Sequence, residues 1–441
     1  MKKATQLTAL LAVFTLLMTY VFSFQTSIAH AEDELGLNAE AALLIDAKSG
    51  KILYEKNSDK VLGVASMSKM MTEYLVLEAI EKGKIKWDQN VMIDEYVHKL
   101  SAAPELSNIG LTQGETYTVK ELYEAMAIFS GNAATVALAQ LVGGSEKNFV
   151  KLMNKRAGEL GLKDYKFVNA SGLNNSSLLG KIPAGSEEDE NLMSAKATAK
   201  LAFHLINDYP EALDYAKVPR LKFKDGREYP NFNWMLPGLI EEYPGVDGLK
   251  TGSTDFAGYC FTATAERDGQ RFISVVMKAD SKNARFTETK KVLDYAFSNF
   301  TKEEIVKKGY QVKGNKTLGV AKGKEDSVAI KTDKSINLVV KNDDKDGLKP
   351  KLVIDKKKLD EDGNLVAPVK KGEKVGYLTL ESKNGKDLGF LTEEGQKNIS
   401  VDVVAAETVE KSNWFVLTMR AIGGFFGDMW NGITDTVKGF F

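Results

Sequence analysis

The chain holds one cysteine, Cys260, in 441 residues, and a single thiol closes no internal disulfide. A chain of this length buries enough surface to fold without one. Cys260 sits in the strand-like run AGYCFTATA, where a buried, unreactive thiol is expected. Histidine is almost as scarce. Of three, His30 lies near the N-terminus, and His98 and His204 have no partner at metal-ligand spacing. No metal and no other cofactor is expected, and a Ser-His-Asp triad has few histidines to draw on. There is no Gly-x-Ser-x-Gly elbow and no Gly-Lys-Ser or Gly-Lys-Thr phosphate loop. The prolines form no linker, and no fixed-period repeat occurs. A formal net charge of −1 gives no sign of a nucleic-acid partner.

What is present starts at the N-terminus. Lys2 and Lys3 precede the apolar run LTALLAVFTLLMTYVF, and SIAHA comes next, with Ala29 and Ala31 in the small positions before a cleavage site. Residues 1–31 therefore read as a secretory signal peptide cut after Ala31, and an exported protein is expected. Hydrophobic residues at 43% and charged ones at 27% suit a soluble globular body, and the length suggests two domains.

Two strands are expected in AALLIDAKSGKILYEKN, turning at Lys48-Ser49-Gly50. Helices follow over Ser66–Ile80, in TVKELYEAMAIF and NAATVALAQLVG with a break at Ser130-Gly131, in EKNFVKLMNKRAGELG, and in SAKATAKLAFHLIND. Strands return in GVDGLKTGST, AGYCFTATAERDG and QRFISVVMKAD, and ETKKVLDYAFSNF closes with a helix. Strands at both ends with helices between predict an α+β domain over 32–303, an antiparallel sheet packed with helices. Short alternating runs from about Glu304, among them SVAIKT, INLVV and KVGYLTLE, predict a small all-β domain over 304–406.

With the other chemistries set aside, serine and lysine remain. Ser66-Met67-Ser68-Lys69 is the one S-x-x-K in the chain, and Lys250-Thr251-Gly252 the one K-T-G. Ser130-Gly131-Asn132 is a weaker S-x-N, a pattern that recurs at Ser281, Ser335 and Ser382. Ser66 alone is as readily a plain helix cap as a nucleophile. Met67, Met70 and Met71 read as core packing. If Ser66 is the nucleophile, the helix dipole beneath it favours an oxyanion, and Lys69, at i+3, stands on the same face to take its proton. That requires a neutral lysine, a drop of roughly 3 pKa units from about 10.4, supplied by burial and a second cation.

The three motifs in this order, at a helix start, a helix–helix break and a strand, resemble those of the low-molecular-mass penicillin-binding proteins. KILY, ASMSKMMTEYL, NASGL and DGLKTGSTD look like the membrane-anchored serine D-alanyl-D-alanine carboxypeptidases of Gram-positive rods. The resemblance implies a β-lactamase/transpeptidase-like fold and a Ser66 acyl-enzyme on peptidoglycan stem peptides ending in D-Ala-D-Ala, with trapping by β-lactams. It sets Lys250 beside Ser66 as the second cation and gives Ser130 the proton relay to the leaving amine. It gives Asn132 the substrate amide, Lys250 and Thr251 the terminal carboxylate, and the backbone N–H groups of Ser66 and Ser253 the oxyanion. Gly252 would leave room for the acyl donor along the strand. A β-lactamase is disfavoured by the lack of an E-x-x-L-N stretch between Asn132 and Lys250. The same trio of motifs also serves transpeptidase and endopeptidase action. A catalytically inactive wall-binding or penicillin-sensing module is the rival from outside the enzymes.

Residues 411–441 differ from everything before them. On a helix, Phe415, Met419, Ile422, Phe426, Trp430 and Ile433 gather on one face, opposite Arg420, Asp428, Asp435 and Lys438. Charges recur too often for a spanning helix. The pattern predicts an amphipathic helix lying in the membrane interface, which would hold the exported protein peripherally on the outer face of the cytoplasmic membrane.

Overall fold

Strand β1 (Ala39–Asp46) is buried along almost its whole length, because both faces of the sheet around it are covered. The computed structural model describes residues 34–413 except 343–346, 384–388 and 398, together with 416, 418 and 419. The proposed signal peptide lies outside the described residues. The chain divides into Met1–Leu37 and Asn38–Phe441, and every strand and helix named below Leu37 in the chain order belongs to the second unit.

β1 pairs with β2 (Ile52–Lys56) through the expected turn, and β3 (Val246–Thr254), β4 (Gly258–Arg267) and β5 (Gln270–Ala279) complete the sheet in the order β3-β4-β5-β1-β2. Every pairing is antiparallel. Asp268 and Gly269, at φ 51° and 72°, make a two-residue hairpin turn between β4 and β5. Side chains alternate along β4. Cys260 faces the main core with Met67, Met70, Leu201 and Leu205, while Phe261, Ala263 and Ala265 face Phe286 and Leu293. Cys260 is a free, buried thiol, and burial pushes its pKa up to about 11, as expected for an inert group.

The helices that carry the motifs are α1 (Lys69–Glu81), α2 (Val119–Ala127), α3 (Asn132–Gly143), α4 (Glu146–Glu159) and α5 (Ala195–Asp208). Thr118 and Glu121 close a capping box at the start of α2. α3 is apolar on nearly every side and is buried from Asn132 to Ala139. α6 (Ala284–Asn299) covers the other sheet face and begins one turn before the expected Glu288.

No linker separates α6 from the next element. β6 (Phe300–Val306) starts at the next residue and pairs with β9 (Ile336–Lys341), so this strand crosses the expected junction at 303/304. β7 (Thr317–Ala321), β8 (Ser327–Thr332), β10 (Leu348–Ile354), β11 (Leu365–Val366), β12 (Lys374–Ser382) and β13 (Val401–Ala405) form a sheet in the order β10-β12-β13-β8-β7-β11. The β7–β11 contact is parallel. Val328, Ile330, Val340, Leu378 and Val403 fill its core. The β1–β2 turn docks on this layer. Lys51 Nζ donates to Val339 O (3.0 Å), and the Ile52 and Leu391 N–H groups donate to Gly389 O and Gly50 O.

The expected tail helix lies almost wholly outside the described residues. Its first two residues belong to the small β layer: Lys411 bridges Gly323, and the Ser412 N–H donates to Lys322 O. Among the described residues no helix is long and apolar enough to cross a membrane.

Candidate active site

Ser66 lies in a 3₁₀ turn, Ala65–Ser68, from which α1 continues at Lys69. The expected single helix from Ser66 is thus a tight turn followed by an α-helix. Ala65 takes φ +46°, a left-handed backbone that is uncommon for a residue with a Cβ. Two glycines let other segments close on this turn. At Gly172 (φ +78°) a Cβ would stand 1.9 Å from Ala65 O. At Gly252 a Cβ would stand 2.6 Å from Val64 O and 3.2 Å from Ser66 N. β3 therefore runs flat against the backbone of the Ser66 turn. The missing side chain of Gly252 makes room for that backbone, a packing task beside its expected role as space for an acyl donor.

Lys69 is fully buried. Its Nζ lies 2.9 Å from Ser66 Oγ, 2.8 Å from Asn132 Oδ1 and 2.7 Å from Ser171 O. An amide oxygen and a peptide carbonyl can only accept. A neutral amine has two N–H donors and one lone pair. If the two donors serve Asn132 and Ser171, the lone pair is left facing Ser66 Oγ, and the serine must donate to it. Burial first, and then the charge of Lys250, hold the Lys69 pKa well below its ordinary value, against an opposing pull from Glu73.

Glu73 follows Lys69 by one turn on α1 and is 2% exposed. The Tyr123 hydroxyl on α2 donates to Glu73 Oε2 (3.3 Å). Burial raises the carboxyl pKa, opposed by Lys250, Tyr123 and Lys69. Lys250 on β3 is also buried, with Nζ 3.3 Å from Thr251 O. Burial lowers its pKa, Glu73 raises it and Arg285 lowers it. Three ionisable groups are thus buried together beneath the Ser66 turn.

Over this cluster opens a cleft of about 550 Å³, lined by Ser66, Ser130, Asn132, Thr251, Gly252 and Ser253 among others. Six of the eight expected residues therefore line it, and the two lysines, Lys69 and Lys250, lie beneath its floor. Ser130 takes φ +57° at the break before α3, a second strained backbone at this one site. Asn132 is engaged on both ends, since its Nδ2 also donates to Ser107 O (3.0 Å). The cations lining the cleft among the described residues are Lys282 and Arg285. Arg285 Nη1 approaches Gly252 O at 3.4 Å, and burial pushes its pKa down to about 10, so it stays charged at neutral pH. Glu105 and Asp255 line the cleft as well.

Sequence reasoning missed Arg285, Glu73, Tyr123 and the Ser171 carbonyl. Glu73 and Tyr123 sit in regular helical patterns that mark nothing. Arg285 opens a helix, where a solvated arginine is the ordinary expectation. A backbone carbonyl leaves no trace in side-chain identity, although NASGL, which contains Ser171, is among the stretches that carry the resemblance.

Residues 27–281 match the D-alanyl-D-alanine carboxypeptidase family, and residues 300–411 match the C-terminal domain of penicillin-binding protein 5. The D-alanyl-D-alanine carboxypeptidase DacF of Bacillus subtilis is 36% identical over 337 residues, covering 76% of this chain and 81% of that protein. The crystal structure of a peptidoglycan synthesis regulatory factor (PBP3) from Streptococcus pneumoniae is similar with a TM-score of 0.69 at 37% identity, over 85% of this chain and 100% of that one. Penicillin-binding protein 5 from Haemophilus influenzae is similar with a TM-score of 0.66 at 29% identity, over 85% and 98%.

The packing at Gly172 is open to a direct test. Gly172→Ala adds a clash with Ala65 O to an unfavourable φ, for a combined loss of stability of about 2–4 kcal/mol. Gly83→Ala, at φ +66° with nothing within 4 Å, loses only about 1–2 kcal/mol. Urea denaturation of the two variants should show that difference, and equal losses would mean that Gly172 is not held against the Ser66 turn.

Proposed function

The chain belongs to the D-alanyl-D-alanine carboxypeptidase family, and from that premise we propose that it removes the C-terminal D-alanine of peptidoglycan stem peptides through an acyl-enzyme on Ser66. The approach of Lys69 Nζ to Ser66 Oγ at 2.9 Å, with the other two positions around Nζ held by pure acceptors, is the observation that carries this reading. Lys69 takes the Ser66 proton through its free lone pair. Ser66 Oγ attacks the carbonyl carbon of the penultimate D-alanine. Charge gathering on the carbonyl oxygen is met by the backbone N–H groups of Ser66 and Ser253. Lys69 gives the Ser66 proton up through Ser130 to the departing amine nitrogen, and D-alanine leaves with Lys69 neutral again. Water then adds to the ester, Lys69 takes its proton and delivers it to Ser66 Oγ as the ester bond breaks, and the free serine is restored.

The terminal carboxylate of the substrate is held by Thr251 and Arg285. Arginine matches a carboxylate with paired N–H donors, and Arg285 lines the cleft where Lys250 does not. Lys250 keeps the other task expected of it, the field that disfavours a proton on Lys69. β-Lactams carry a reactive carbonyl and a carboxylate in a similar relation and acylate the same serine. Ser130 and Asn132 frame the opposite wall, Asn132 orienting Lys69 as well as meeting the substrate amide.

The chain is exported by residues 1–31 and held on the outer face of the bacterial cytoplasmic membrane by the apolar face of the C-terminal helix. Its peptidase domain runs from about residue 32 to the end of α6 at Asn299, and its small β domain starts with β6 at Phe300. Asn413 Oδ1 accepts from the Val416 N–H (2.9 Å), the contact that a helix N-cap makes. Full burial of one large apolar side chain contributes about 1.5–3 kcal/mol. Several on one face exceed the marginal hold of a single lipid chain.

Ser66→Ala should abolish both D-alanine release from a D-Ala-D-Ala peptide and covalent labelling by penicillin; a stable penicillin adduct on that variant would show the nucleophile to be elsewhere. Lys250→Ala removes a cation near Lys69, so the Lys69 pKa rises and activity is lost at a higher pH on the acidic side, by on the order of one unit. An unmoved acid limb contradicts the electrostatic task given to Lys250. A chain ending at Asn413 should leave the membrane fraction and keep full activity on small peptides. Continued membrane binding by that form, checked by sedimentation in high salt, would place the anchor elsewhere.

A further inference from the structure

The Lys69–Glu73–Lys250 cluster contains one group to which the acyl transfer gives no task. Glu73 does not line the cleft, yet it is buried within the range of both lysines. Buried charge persists only when paired or hydrogen-bonded. Two lysines in one dry space without an anion would both lose their protons. We propose that Glu73 is a positioning residue for the Ser66 chemistry: the buried counter-ion that keeps Lys250 protonated while Lys69, one turn away, stays neutral.

The geometry separates the two lysines. Lys69 has its Nζ surrounded by Ser66 Oγ, Asn132 Oδ1 and Ser171 O within 2.9 Å, so an amine with two protons keeps both N–H groups and its lone pair engaged when Ser66 donates to it. Lys250 Nζ has a long contact of 3.3 Å to Thr251 O, so its charge depends on a field rather than on close acceptors. Glu73 supplies that field. Tyr123, reaching across from α2, donates to the carboxylate and favours its ionised form. The charged and titratable groups around the cluster are Lys69 on the same helix, Lys250 on β3 and Tyr123 on α2. Arg285 on α6 acts on Lys250, and Tyr215 and Glu211 act on Tyr123. With Glu73 ionised, Lys250 charged and Lys69 neutral, the buried trio carries no net charge. That is the low-cost state for a dry site, and it contains a free base beside the nucleophile. Protons enter and leave such a trio as a unit, so the limbs of a pH profile belong to the cluster.

This inference rests on the Ser66 acyl-enzyme, and its test separates the two. The full chain is acylated with penicillin from acid to alkaline pH, and the second-order rate of adduct formation on Ser66 is followed by mass spectrometry. Removing the anion lowers the pKa of both lysines. In Glu73→Gln the acid and alkaline limbs of the cluster should both move to lower pH by about one unit. Glu73→Asp keeps the charge and should stay near the wild-type profile. Tyr123→Phe, which weakens the carboxylate, should shift both limbs the same way by less. Slower acylation with both limbs unmoved, or limbs displaced upward, overturns the inference and leaves Glu73 a packing residue. If Glu73→Gln does not fold, Tyr123→Phe decides alone: a downward shift supports the counter-ion, no shift removes it. A wild-type chain that forms no adduct on Ser66 overturns the acyl-enzyme assignment itself.

Discussion

A fully buried lysine amine with three fixed neighbours is the constraint around which the rest of this structure is arranged. Two of the neighbours of Lys69 can only accept, so when the amine is neutral they take its two protons and its lone pair is left to Ser66. Each neighbour is supplied by a different part of the chain. Ser66 stands in the turn before α1, Asn132 opens α3, and Ser171 lies in the loop ahead of α5. β3 seals the arrangement from the side, possible only because Gly252 brings no Cβ against Val64 and Ser66. Misplacing any of these segments would admit water, restore the ordinary pKa and remove the base.

The cost of that precision is visible in the backbone. Ala65 and Ser130 both hold positive φ, where residues with a Cβ are disfavoured by roughly 1–2 kcal/mol. Neither conformation would persist without packing that over-determines it. The nearly all-apolar α3 anchors the chain just after Ser130. The flat approach of β3 and of Gly172 pins the turn that begins at Ala65. Stability in the surrounding core thus supports strain at the site, which is the general exchange between packing and function.

Much of the fold is legible in the sequence because its signals are local. Apolar runs bounded by turn residues mark β1 to β5, and caps and glycines bound the helices. Three short motifs point to Ser66, Lys69, Ser130, Asn132, Lys250, Thr251 and Gly252, and the family resemblance adds Ser253. What stays hidden depends on distant segments meeting. Nothing local distinguishes Glu73 from a solvated glutamate; only the arrival of Tyr123 and Lys250 buries it. Arg285 becomes a cleft cation, and Lys250 a buried one, because α6 and β3 present different faces to the cleft. The packing task of Gly252 stays hidden for the same reason, since the backbone it accommodates lies far earlier in the chain. Phe300–Val306 cannot be read as a strand from its sequence, because its alternation starts inside the helical pattern of α6.

The protonation state of Lys69 is the point on which nucleophile, base and counter-ion all turn, and neutron diffraction from deuterium-exchanged crystals near neutral pH reads it directly. A neutral base predicts two deuterons on Nζ, directed at Asn132 Oδ1 and Ser171 O, with the Ser66 deuteron lying on Oγ and directed at Nζ. Three deuterons on Nζ, with one directed at Ser66 Oγ, would contradict it.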